Sequence, residues 1–544
     1  MKCQSVSTLE YEFSARLLAY RRSPPVETER AMQAEMKGHA VEPLSHPMTA
    51  VQRHSRALLV GTLVSLLLVA VHARGVTPSS GYPCFSSLPA TFLDPKHPKG
   101  YRTIKASSID ANYMLIQGRN SAHSESTFTL HGLLERGGRT LVADFSAIGG
   151  PPALHGHCAE GGDISWADGN TWRRGARLSE LLALGTALAE DAASVIRSAR
   201  SNQQQQQQGL ASKDGEDGSA RTKAVTDEGV AEPVTAADAA SNQVLVSGWQ
   251  TRWPGLALLT EEKVDPKLLQ PTKHLDGVPD SSSSSSTSAS TKDSFHLDAD
   301  PVYPLRDLLV TIDPLDATHE YTEGLLQYVT TQQCIVLNGR PVAGIIHQPF
   351  EKQSPTVAVP SIKKAFEGSV ELTTSQMVGS GWASAPKLAV AGRRAPMTAG
   401  GGSDSYNNHA KVAVSRSHTG SAAQLVADSL PGKTALLAGG AGYKALLVAR
   451  GQAGAYLHAT KSKAWDACAA DALITARGGT FTDVAGAELV YNPHDPVLRH
   501  GLLGASTARD HQWFVERLKD HPIALSGNTG DRPAESTFLR GLPG

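Results

Sequence analysis

The stretch Asp307-Leu-Leu-Val-Thr-Ile-Asp-Pro-Leu-Asp-Ala-Thr318 decides how this chain reads. Five apolar or β-branched residues in a row mark a buried strand, and the strand runs directly into Asp313. Pro314 removes an amide donor and fixes φ, which turns the chain off the strand and lets Asp313 and Asp316 converge with the Leu315 carbonyl free beside them. Hard oxygen donors in that grouping suit Mg²⁺, which takes carboxylates, water and substrate phosphate. Ala317-Thr318 opens a helical stretch whose first amides can face a phosphate. Asp-Pro is also an ordinary turn pair, so the unit needs partners before it means chemistry.

Two further apolar elements end the same way. Leu256-Ala-Leu-Leu259 is followed by Thr260 and Glu261-Glu262, and Trp465-Asp466 opens an alanine-rich helix that closes at Gly478-Gly479. Asp466 alone reads as a helix cap, where a carboxylate is favoured without any metal. Strand ends and helix starts sit at the rim of a sheet, where α/β proteins build their sites.

Around these points strand and helix signals alternate. Leu181, Leu184, Leu188, Ala192 and Val195 recur at helical spacing. Cys334–Leu337 and Val342–Ile346 flank Asn338-Gly339, a type I′ hairpin signal. Val412–Val414, Ala435–Leu437 and Ala455–His458 read as strands, and helices are expected near 443–450, 466–477 and 507–519. About 340 residues of mixed elements predict a layered α/β or α+β architecture.

The rest of the chain sets its context. A formal net charge of −1 and no long basic run leave no footprint for nucleic acid. Five cysteines, Cys3, Cys84, Cys158, Cys334 and Cys468, do not form a disulfide framework by number, and the last two read as small core residues. Residues 57–71 carry no charge and follow Arg53 and Arg56. The segment at 56–74 is therefore expected to be a signal anchor, with 1–55 a cytosolic tail and everything after it luminal; a cleaved signal peptide starting at Met48 is the other reading. Residues 75–175 show no sustained period and are expected to be poorly structured. Gln203–Gln208, Ser281–Ser286 and 399–403 read as solvated loop insertions.

Taken together the motifs resemble the inositol monophosphatase superfamily. Asp313-Pro-Leu-Asp-Ala-Thr318 with Glu320-Tyr-Thr is similar to its first motif, and Trp465-Asp466-Ala-Cys-Ala469 with Gly478-Gly479 to its second. Glu261-Glu262 resembles its intervening glutamate motif, and Val234-Thr-Ala-Ala-Asp238 its Thr-x-Ala-Asp segment. The stretches at 313–331, 336–350, 412–420 and 439–447, and alanine at 317, resemble the subgroup that acts on adenosine 3′,5′-bisphosphate.

The resemblance implies an α+β fold, a layered αβαβα sandwich with subdomains at 176–350 and 351–520 and a tail at 521–544. It implies a phosphatase holding two or three Mg²⁺ on Glu261, Asp313, Asp316, Asp466 and the Leu315 carbonyl, with sensitivity to lithium. Thr318, bonded to Asp238, takes the proton of the attacking water. Ser415, His418, Gly440, Lys444 and Thr318 hold the substrate, with Arg416 as an extra cation. The partners implied are a small nucleotide, a Golgi or other secretory membrane through a type II anchor, and a homodimer as the oligomeric option. An inositol phosphate substrate and a catalytically silent binding protein are the competing readings.

Overall fold

The computed structural model describes most of residues 84–264, 301–351 and 409–521, and three further strands at 356–359, 376–378 and 537–539. The expected tail and anchor over 1–74, Ser281–Ser286, the 399–403 run and His418 lie outside the described residues. Among the described residues, no helix is long and apolar enough to cross a membrane.

The segment expected to be poorly structured folds into a barrel. Its strands are β1 (Ala90–Leu93), β2 (Tyr101–Ala106), β3 (Tyr113–Arg119), β4 (Phe128–Leu134), β5 (Thr140–Asp144), β6 (Leu154–Cys158), β7 (Ile164–Trp166) and β8 (Thr171–Arg177). Each pairs antiparallel with the next, and β8 pairs back onto β1, so eight strands close without an edge. Phe92, Ile104, Met114, Ile116, Leu130, Leu141, Ile164, Trp166 and Trp172 fill the interior. The period-2 signal is faint for physical reasons. The strands are short, Gly118, Gly132 and Gly156 sit within them, and Arg102 is buried at an inward position. Its guanidinium is held there by Asp94 at 2.8 Å and Asn120 at 2.7 Å.

The cysteines also depart from expectation. Cys84 and Cys158 form a disulfide in the barrel, and Cys334 and Cys468 form another across the second domain. Five cysteines looked too few for cross-links, but pairing is decided by distance in the fold, and both pairs have Cα atoms 5.7 Å apart.

Strand β8 runs into α1 (Leu178–Gly209). Next come the ribbon β9 (Arg221–Val225) and β10 (Ala231–Val234), α2 (Ala236–Arg252), β11 (Ala257–Thr260), β12 (Val302–Pro304) and β13 (Leu308–Asp316). They are followed by α3 (Thr318–Glu323), β14 (Thr330–Leu337), β15 (Arg340–His347), β16 (Thr356–Val359) and β17 (Gln376–Val378). The C-terminal part holds β18 (Lys411–Ser415), α4 (Ser421–Ser429), β19 (Thr434–Ala438), α5 (Ala441–Ala449), β20 (Ala455–His458), β21 (Ser462–Lys463) and α6 (Ala464–Ala476). It ends with β22 (Thr480–Thr482), β23 (Val497–Leu498), β24 (Leu502–Ala505), α7 (Ala508–Leu518) and β25 (Thr537–Leu539). The glutamine tract expected to be a loop continues α1, since glutamine is a good helix former, and the helix stops at Gly209. Along α1, Ile196 rather than Val195 is fully buried.

The first sheet has the order β17-β16-β15-β14-β13-β11-β25, and the second β19-β18-β20-β24-β22. Alternate residues of each strand enter different cores. Leu258, Val310 and Ile335 pack on α1 and α2, while Leu259, Leu309, Cys334 and Val336 face α5 and α6. The other side of α5 and α6 meets Ala413, Ala438 and Tyr456 of the second sheet. Val412, Val414, Leu457 and Leu503 pack the far side of that sheet on α4 and α7. Helices, sheet, helices, sheet, helices make five layers, the expected αβαβα order. At Asn338-Gly339 both residues have positive φ, 51° and 80°, as the hairpin requires. Strand β12 pairs with β8 of the barrel, so the stretch that leads into Asp313 is anchored in both bodies.

Candidate active site

The acidic elements meet where β11 and β13 end side by side. These strands are parallel, with Thr260 opposite Ile312, and the Glu261 amide donates to the Ile312 carbonyl at 3.2 Å. Glu261 and Asp313 therefore leave the same sheet edge. Pro314 breaks the pairing of β13 with β14 between Asp313 and Asp316, but the strand does not end there, and Asp316 pairs again opposite Thr330. The resulting bulge brings the two aspartates together.

Asp313 is fully buried, and burial, Glu261, Asp316, Asp466 and Asp238, in that order, push its carboxyl well above the usual range. Asp466 lies in the first turn of α6 and accepts from the Lys463 amide and the Ser462 hydroxyl, both at 3.0 Å. It is a cap, and it also faces the cluster: burial first, then Asp316, pushes it up to about 6. Asp316 accepts from the Thr330 hydroxyl at 2.8 Å and from the Ala441 and Gly442 amides at 3.0 and 2.8 Å.

Among the described residues, no three acidic, imidazole or thiol groups stand ready-made around an ion. The donor set nevertheless fits Mg²⁺. Carboxylates from three separate elements repel one another around a buried Asp313, and hard oxygen donors with surplus negative charge are what that ion neutralises. Gln332 adds an orphan: its Nε2 reaches Asp313 Oδ2 at 3.4 Å, while its buried Oε1 has no partner.

Asp238 sits in the first turn of α2, where Oδ2 accepts from the Thr235 amide at 2.7 Å and from the Thr235 hydroxyl. Its Oδ1 accepts from the Thr318 hydroxyl at 3.0 Å. Burial pushes Asp238 up to about 6, and the Thr235 and Thr318 bonds oppose that rise. Thr318 also reaches the Leu315 carbonyl at 3.0 Å. A hydroxyl has one proton, so donation to Asp238 leaves its lone pairs open toward solvent. Ala317, just before it, has φ 69° and ψ 44°, a left-handed geometry that costs an alanine but not a glycine.

Of the substrate residues expected from the resemblance, Ser415, Gly440 and Lys444 lie beside this edge. Ser415 ends β18, opposite Ala438 of β19, so residues 415–416 and 438–440 emerge together. Gly440 has φ 66°, and a Cβ there would come within 2.8 Å of Asp316 Oδ2, so only glycine fits. Lys444 is buried, with its ammonium 2.6 Å from the Gly440 carbonyl and 5.4 Å above the Tyr456 ring. Burial lowers its pKa, while Asp316, Glu320 and Asp466 raise it, so its charge faces the acidic cluster.

Sequence reasoning did not single out Thr330, Gln332 or the Ala441 and Gly442 amides. Once β14 is paired to β13, the register sets Gln332 opposite Asp313 and Thr330 opposite Asp316. Alternation along Thr330-Thr-Gln332 was the available signal.

Residues 177–522 match the family model described as the inositol monophosphatase family. A protein of Rattus norvegicus named Golgi-resident adenosine 3′,5′-bisphosphate 3′-phosphatase is 32% identical over 308 residues, covering 55% of this chain and 73% of that one. Inositol monophosphatase 3 of Xenopus laevis is 31% identical over 308 residues, with 55% and 74% covered. Among solved structures, the extragenic suppressor protein suhB of Bartonella henselae aligns with 63% of this chain and 99% of its own, at 14% identity and a TM-score of 0.39.

Proposed function

Because this chain belongs to the inositol monophosphatase family, we propose that it is a Mg²⁺-dependent phosphatase of small phosphate esters, with adenosine 3′,5′-bisphosphate as its substrate. The observation that carries the reading is the hydrogen bond between Thr318 and the buried Asp238 at the edge of the Asp313, Asp316 and Asp466 cluster. Glu261, Asp313, Asp316, Asp466 and the Leu315 carbonyl would hold the ions. Bound Mg²⁺ supplies Lewis acidity and cancels phosphate charge during in-line displacement of the phosphoryl group.

The chain's own residues handle the proton. Thr318 donates to Asp238 and accepts from the attacking water, and Asp238, ionised above pH 6, draws the proton inward. Thr235 holds Asp238 in place through two donors. Lys444, expected from the resemblance to hold the substrate, is buried against the Gly440 carbonyl. In this reading it steadies the Gly440 turn and balances part of the cluster's charge rather than touching the nucleotide. Ser415, Gly440 and His418 are proposed contacts of the nucleotide.

The nucleotide is favoured over an inositol phosphate by the shared stretches at 415–418 and 439–444 and by the activity named for the rat relative. Phosphate release should be fastest from adenosine 3′,5′-bisphosphate, slower from inositol 1-phosphate, and abolished by chelator. Faster release from the inositol phosphate overturns the substrate, and turnover indifferent to chelator overturns the metal. A luminal setting is supported by the two disulfides, which persist in oxidising compartments, and by the Golgi residence named for that relative. Protease added to intact microsomes should spare the catalytic region, and digestion without detergent would refute it.

A further inference from the structure

Arg416 was expected to supply an extra cation for the substrate, but the fold engages it otherwise. Its Nη1 donates to Glu323 Oε2 at 2.6 Å and lies 3.4 Å from Glu320 Oε1. Both glutamates belong to α3, the short helix that opens with Thr318. Glu320 is buried, with a side chain only 2% exposed, and Glu323 stands at the surface. One guanidinium between two carboxylates leaves the trio with a net charge of −1, which gives it no surplus attraction for phosphate.

Glu320 also touches the other substrate segment. A Cβ at Gly439 would fall 2.5 Å from the Glu320 carboxyl carbon, so this glycine exists to admit that side chain. The Arg416 amide in turn donates to the Ala438 carbonyl at 3.2 Å. The end of β18, the end of β19 and the helix bearing the proton acceptor are thus tied by one buried carboxylate and one arginine.

We propose that Glu320, Arg416 and Glu323 form a positioning latch that fixes residues 415–417 against the Thr318 helix and so sets affinity for the nucleoside part of the substrate. The nucleoside half of this rests on the nucleotidase reading above; the latch itself does not. The latch acts on KM rather than kcat, because the Thr318 hydroxyl bonds to Asp238 and the Leu315 carbonyl and not to Glu320, Glu323 or Arg416. Glu323 is the informative position, since it lies at the surface and touches no proposed substrate or metal group.

The experiment compares Glu323→Gln, Arg416→Gln and the double variant on adenosine 3′,5′-bisphosphate and on p-nitrophenyl phosphate, which has no nucleoside. A latch predicts that each single change raises KM for the nucleotide by about fivefold, as for a partly exposed ion pair, with kcat within about twofold. The double variant should be no worse than the poorer single, because both remove the same contact. KM for p-nitrophenyl phosphate should move by less than about twofold. If Arg416 instead contacts phosphate directly, Glu323→Gln frees a cation and lowers KM while Arg416→Gln raises it, and that pattern overturns the proposal. Equal losses on both substrates overturn the nucleoside half. If the wild type does not hydrolyse the nucleotide, that half falls with the nucleotidase reading. Hydrogen exchange at the amides of 415–417 then decides the latch by itself: faster exchange in Glu323→Gln supports it, and unchanged exchange overturns it.

Discussion

Replacing Asp238 with asparagine separates catalysis from stability at a single atom. In the wild type Oδ2 accepts two hydrogen bonds from Thr235, and Oδ1 accepts one from Thr318. Asparagine has one acceptor oxygen. It belongs where the two Thr235 donors point, which leaves the amide NH₂ facing Thr318. One Thr318 lone pair then accepts from that donor, its proton turns to the Leu315 carbonyl, and no carboxylate is left to receive a proton passed on from water. Loss of a positioned proton acceptor costs about 10²- to 10⁴-fold in kcat, with KM little changed.

Stability should move the other way. A carboxyl shifted from 3.8 to about 6 binds its proton more tightly in the folded state. Its stabilising contribution is complete below pH 4 and is lost as pH rises through 6. At pH 7.5 the ionised Asp238 therefore disfavours folding by roughly 3 kcal/mol at most, and asparagine removes that burden while keeping the helix cap. Thermal melts with chelator should show Asp238→Asn equal to or above wild type at pH 7.5, with the advantage shrinking at pH 5. Steady-state phosphate release supplies the other half of the assay. A variant within tenfold of wild-type kcat would refute the relay. One that unfolds much earlier at pH 7.5 would reduce Asp238 to a cap.

Asp313→Asn keeps the acceptor for the Leu315 amide, 3.2 Å away, but removes one charge from the repelling cluster. The chelated variant should melt above chelated wild type, and the Mg²⁺-induced rise in Tm should fall from several degrees to about one or less; an undiminished rise would place the ions elsewhere. Ala317→Gly should relieve about 1–2 kcal/mol of left-handed strain against about 0.5–1 kcal/mol of added unfolded-state freedom. The net gain of up to about 1.5 kcal/mol appears as a Tm higher by up to about 3 °C, and a lower Tm would show that the Ala317 methyl contributes packing worth more than the strain.

Much of the catalytic body was legible because its signals are local. Apolar runs with carboxylates at their ends located β11, β13 and α6, and Asn338-Gly339 marked its hairpin, because each depends on a few adjacent residues. The motif order then pointed to five layers. Other features depend on which distant residues meet. The barrel at 84–177 exists through closure of β8 onto β1, which no single weak strand announces. Cys84 finds Cys158 across 74 residues, and Cys334 finds Cys468 across 134. Gln332 and Thr330 become neighbours of Asp313 and Asp316 only through the register of β13 and β14. Arg416, legible as a free cation, is claimed by Glu320 and Glu323 from nearly a hundred residues upstream. The sequence by itself determined which groups are available for the proposed chemistry, since side-chain type and local backbone preference are written residue by residue. Only the tertiary structure decided which of those charges answer one another, because Coulomb interaction and burial depend on distance in space and not on position along the chain.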